Sequence, residues 1–133
     1  MDVELALPGD CPPSSAQEPQ GAFFRLVSGS LREGEVAGDG DWILPAMKTK
    51  GDCAGVTDRC ECFAHSLFED ADDLLRAREQ IAWARRKAIA EIELTPEMGV
   101  IEASPSDLGD SHHEWWPADN QVPQSQVVWE KPE

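Results

Sequence analysis

Apolar and polar positions alternate in several short stretches of the 133-residue chain. Residues 22–27 place Phe23, Arg25 and Val27 on one face of an extended strand and Phe24 and Leu26 on the other. Bulk on both faces predicts a central strand. Residues 88–94 set Ala90, Ile92 and Leu94 against Glu91 and Glu93, the pattern of a strand with one buried face. A break at 95–99 is followed by the apolar run 100–103, so the two stretches read as a β-hairpin. A helix continuing to Leu94 is the alternative, because no Gly or Pro separates Lys87 from Leu94. Residues 126–130 read as a closing strand.

One segment follows helical spacing instead: Leu67, Phe68, Ala71, Leu74, Leu75, Ile81 and Ala82 recur on one side, with Arg76, Glu79 and Gln80 largely opposite. Asp70, Asp72 and Asp73 fall at its start and Arg85, Arg86 and Lys87 at its end, the polarity favoured by a helix dipole. The spacing predicts a helix over 70–86. Ser66 and Glu69 fit a capping box that would start it a turn earlier.

Between these elements lie irregular stretches. Residues 8–21 are rich in Pro, Gly and Ser and cannot bury enough apolar surface to offset the entropy of ordering, so 1–21 is expected to be a flexible N-terminal arm. Residues 28–41 carry four glycines and several acids and form a long loop. Residues 42–44 are either a short strand or a plug that anchors this loop in the core. The expected whole is a single α+β domain over 22–133, a small antiparallel sheet packed against one principal helix.

Charge narrows the function. The chain has 26 acidic and 11 basic residues, a formal net charge of -15. Such a field repels nucleic acid and anionic lipid and speeds encounter with basic protein surfaces. Nucleic-acid and membrane partners are therefore not expected, and a basic protein surface is. The N-terminus lacks the basic and apolar regions of a secretory leader, which points to the cytoplasm and to reduced cysteines. Cys53, Cys60, Cys62 and His65 offer a ligand set that tetrahedral zinc accepts, but their spacing is not one of the common pairs. The preferred reading is reduced thiols, with no metal and no cofactor.

The densest chemistry lies at 108–120. In an extended chain Ser111, His113 and Trp115 share one face and His112, Glu114 and Trp116 the other, so the adjacent histidines cannot grip one ion. The favoured function is a non-enzymatic interaction module, of the inhibitor or immunity type. Asp110, Glu114, Trp115, Trp116 and Asp119 are its expected contact residues, with acids steering approach and aromatics holding the contact. The alternative is a small enzyme or ligand-binding domain with a pocket of Arg25, Ser66, His112, His113 and Trp115. Arg76, Arg78, Arg85, Arg86 and Lys87 are read as neutralising nearby acids rather than binding phosphate.

A strand bearing Phe24, Arg25 and Leu26, then Ser66, Leu67 and Phe68 leading into a helix, then late polar strands, resembles compact ADP-ribosyltransferases. That resemblance implies that Arg25 and Ser66 line an NAD pocket. The family's third element, an acidic or amide residue on a late strand, has no clear counterpart in this chain, Glu114 and Glu130 being the candidates.

Overall fold

The computed structural model describes residues 7–49, 51–56, 58–118 and 124–132. Their framework is six strands and one α-helix: β1 (Gly21–Val27), β2 (His65–Phe68), α1 (Ala71–Gln80), β3 (Ala88–Leu94), β4 (Gly99–Ala103), β5 (His112–Pro117) and β6 (Gln126–Trp129). The strands form one sheet in the order β4-β5-β2-β1-β3-β6, and every neighbouring pair is antiparallel. The α+β architecture expected from the patterning is the one found, with β1 central and paired along its length to β3 from Gly21↔Leu94 to Val27↔Ala88.

Strand parity gives the sheet two unlike faces. One gathers Phe23, Leu67, Ile92, Leu94, Ile101 and Trp115, and the long loop after β1 lowers Trp42 onto them. Residues 42–44 are therefore a plug and not a strand. Burying each such side chain contributes about 1.5–3 kcal/mol, and Leu67, Ile92, Leu94 and Trp115 are at most 1% exposed. On the other face Leu74 of α1 packs on Phe68 and Ile89. Beyond the helix on that same face, Trp116 sits under a lobe built from Cys62, Phe63, Ala64 and flanking small residues.

Helix α1 is fastened at both ends. Asp70 caps it by accepting from the Asp72 amide at 2.9 Å. Asp73 is buried and accepts from the Ser111 amide (3.0 Å), the Ser111 hydroxyl (2.7 Å) and Arg76 (2.7 Å), which ties the β4–β5 loop to the first helical turn. Gly109 is required there, because a Cβ would run into the Asp73 side chain. At the C-terminal end Arg85 donates to the carbonyls of Arg78 (3.2 Å) and Glu79 (2.9 Å), so a side chain satisfies groups that a further helical turn would have used.

Both sheet edges are covered by irregular chain. Gln17 exchanges backbone hydrogen bonds with Ile101 on β4 (2.8 and 2.7 Å), and Gly34 and Glu35 do the same with Val127 on β6 (both 2.9 Å). Covered edges cannot template pairing with other chains.

Four expectations change. The 88–94 and 100–103 stretches are strands but not a hairpin: β3 pairs with β1 and β6, and β4 pairs with β5. The helix ends at Gln80, six residues short, and 84–86 is a separate 3-10 turn. Residues 66–68 belong to β2 rather than to a helix start, so the capping box of Ser66 and Glu69 does not form. The cysteines are not reduced: Cys11 bonds to Cys60 and Cys53 to Cys62. The first of these cystines ties down the N-terminal arm, in which Cys11 and Ala16 pack on the lobe over Trp116 and Pro19 is fully buried.

Candidate functional site

Strand β5 sends its side chains to both faces, as its alternation requires. Trp115 and Trp116 are 1% and 4% exposed, and their indole N–H groups donate to the carbonyls of Met98 (2.9 Å) and Cys60 (3.1 Å). Both rings are core residues, so neither can touch a partner in this fold. His112 lies on the α1 face, donates from Nδ1 to Ser104 O (2.6 Å) and packs edge-on to Phe68; burial holds its pKa below the ordinary histidine value. His113 lies on the plug face, donates from Nδ1 to Ser111 O (2.7 Å), packs on Phe23, and has Nε2 3.7 Å from the Glu69 carboxylate.

The pocket of Arg25, Ser66, His112, His113 and Trp115 does not assemble. Arg25 and Ser66 do meet, but through the Ser66 backbone carbonyl, which accepts from Arg25 Nη1 at 2.9 Å. The Ser66 side chain points to the other face, where its cross-strand neighbour is Glu114. Arg25 also donates to Asp41 O (3.0 Å) and stacks 4.7 Å from the Trp42 ring centroid. Burial lowers its pKa to about 10 against the opposing pull of Asp41, leaving it charged at neutral pH. It is a fixed strut for the plug, and its contacts give no support to an NAD pocket.

A histidine outside the expected set is the most perturbed one. His65 is 3% exposed between Trp42 (5.1 Å) and Trp115 (5.7 Å), and its Nδ1 has no hydrogen-bond partner among the described residues. Burial, reinforced by the positive charges of Arg25 and Lys48, lowers its pKa to about 3. It is a neutral core residue. Alternation puts it on the same face as Leu67 only once 65–68 is a strand, and the helical spacing from Leu67 onward hides that strand.

Two adjoining clefts with acidic residues in their lining lie where β2 turns into α1. A shallow cleft of about 710 Å³ is lined by Phe24, Glu69, Asp70, Asp110, Ser111 and His113, among others. Beside it a second cleft of about 490 Å³ includes Asp70, Asp73, Arg76, Asp107, Asp110 and Ser111. The two share Asp70, Asp110 and Ser111, so five carboxylates line one continuous depression against a single arginine. Of the expected contact residues Asp110 lies here and is exposed. Glu114 lies elsewhere, half-buried opposite Glu102, and its pKa is raised by burial and then by Glu61 and Glu102. Asp119 falls outside the described residues. Glu69 and Asp107 are additions, brought in by the β2–α1 junction and the anchored 104–111 loop, neither of which local patterning encodes.

With all four thiols in cystines, the Cys53, Cys60, Cys62 and His65 set has no free thiolate to offer zinc. Among the described residues no group of three or more His, Cys, Asp or Glu is placed to hold a metal ion. No helix of the described residues is long and apolar enough to cross a membrane. No known protein family matches the chain, nor does any curated protein or solved structure.

Proposed function

We propose that the protein is an acidic interaction module that receives a basic segment of a partner protein in the depression at the start of α1. The observation that carries this reading is the pair of adjoining clefts, in which Glu69, Asp70, Asp107 and Asp110 are exposed around the buried Asp73, with Arg76 as the one arginine of the lining. A lysine- or arginine-rich segment would find carboxylate partners there and the Phe24 ring for its aliphatic stem. The net charge of -15 adds long-range steering towards a basic surface and away from nucleic acid. Covering a basic site on the partner would inhibit it. The two cystines support an oxidising setting rather than the cytoplasm.

The test uses Glu69→Lys/Asp110→Lys, because neither side chain caps or anchors an element, whereas Asp70 and Asp73 do. Captured basic proteins should fall at least about tenfold relative to the unaltered bait, with unchanged circular dichroism, and raising salt should weaken the original capture. Equal capture of the same proteins by both baits would overturn the reading.

A further inference from the structure

We infer that residues 11–17 form a redox-released strap over the β4 edge of the sheet, with the Cys11–Cys60 cystine as its latch. The strap touches β4 through the reciprocal backbone hydrogen bonds of Gln17 and Ile101 and through the Ser15 hydroxyl on Glu102. Its composition, Pro12, Pro13, Ser14 and Ser15, offers little apolar surface to hold it there. The covalent link across 49 residues supplies what the sequence lacks. The inference is independent of the acidic depression and does not rest on the docking reading.

The two cystines differ in the number of reachable sulfurs, which gives the release its selectivity. Cys11 and Cys60 are both partly exposed, whereas in the second cystine only Cys53 is, its partner Cys62 being 0% exposed. A dithiol reductant therefore has two points of attack on the latch against one on the second cystine. One of its thiolates attacks a latch sulfur to form a mixed disulfide, and the other cysteine leaves as a thiolate that takes up a proton. The second thiol of the reductant then closes a cyclic disulfide and frees the remaining cysteine. Two electrons and two protons pass from the dithiol to the cystine. The outward N–H and C=O of Ile101 lose their partner, and β4 becomes an open strand edge able to pair with an extended segment.

Amide hydrogen exchange on the full chain tests this, before and after mild dithiol treatment. The expected result is that the Gln17 and Ile101 amides exchange at least about tenfold faster while those of β1 and β3 are unchanged, with protection restored on reoxidation. Cys11→Ser/Cys60→Ser under oxidising conditions should reproduce the effect with Cys53–Cys62 intact. Continued protection of Ile101 in the reduced protein would overturn the inference, since the strap would then hold without its latch. Loss of protection throughout β1 and β3, or failure of the double variant to fold, would also overturn it, since the cystine would then support the whole domain.

Discussion

Trp115 and Trp116 are chain neighbours buried to nearly the same degree, 1% and 4% exposed, on opposite faces of one sheet. What covers them is different. Trp42 of the plug lies over Trp115, and His65 and Leu67 of β2 and Ile101 of β4 crowd it from the neighbouring strands. The plug that brings Trp42 there is itself held by Arg25 and by the indole N–H donating to Ser125 Oγ at 3.1 Å. Over Trp116 lie mostly cystine sulfurs, alanines and Val56, with Phe63 as the one large ring. One face is closed by packing and the other by cross-links, so equal exposure conceals unequal dependence on solvent conditions.

Truncating the two rings should separate these mechanisms. Trp115→Ala is expected to lower unfolding free energy by about 3–5 kcal/mol whether the cystines are oxidised or reduced. Trp116→Ala should cost a comparable amount only in the oxidised protein, because reduction already loosens its cover. Urea unfolding of both variants, with and without dithiol, reads the difference. A loss under about 1 kcal/mol for Trp115→Ala, or identical redox dependence for the two, would break the contrast.

Acid should attack the packed face through His65. Its folded pKa, about 3, lies below the unfolded value near 6.5, so the unfolded chain binds the proton first. Stability on this account is unaffected above about pH 6.5 and is lost as pH falls towards 3, by roughly 4 kcal/mol at pH 3. Carboxylates titrate over part of the same range, so the measurement is the difference between the original protein and His65→Phe. If the two stability curves run parallel between pH 6.5 and 3, His65 is not the acid-sensitive part of this face.

The faces themselves were legible in the sequence, and the neighbours were not. Period-two alternation correctly assigned the sides of Phe23, Arg25 and Val27, of Ile92 and Leu94, and of the β5 residues, because side-chain direction is a local property of an extended chain. It cannot say which strand lies alongside, so β3 and β4, close in sequence, read as a hairpin although three strands stand between them. Leu67 and Phe68 fit helical spacing with Leu74 and Leu75 only because a strand runs straight into a helix there. The cysteines read as thiols because the N-terminus has no leader pattern, and the spacing of Cys53, Cys60 and Cys62 does not reveal that folding brings Cys11 across to Cys60. The acidic depression was half visible: Asp70 and Asp73 read correctly as a helix start, whereas Asp107 and Asp110 join them only through the Asp73–Ser111 tie.

Glu114, on the cross-linked face, links stability to pH with the opposite sign to His65. It stands directly across from Glu102 and near Glu61, and burial together with these charges raises its pKa. In a group whose folded pKa is raised, the folded state binds the proton more readily, so the penalty is complete above the folded pKa and absent below the unfolded one near 4.3. Glu114→Gln removes the charge while keeping the shape. It should therefore stabilise the protein at pH 7 by less than about 1 kcal/mol, since the carboxylate is only half-buried and water screens it. The gain should shrink to nothing near pH 4, where His65 is already weakening the other face. A Glu114→Gln variant less stable than the original at pH 7 would mean that the carboxylate is held by favourable contacts, and that the cross-linked face does not tolerate its acids merely because the cystines offset their repulsion.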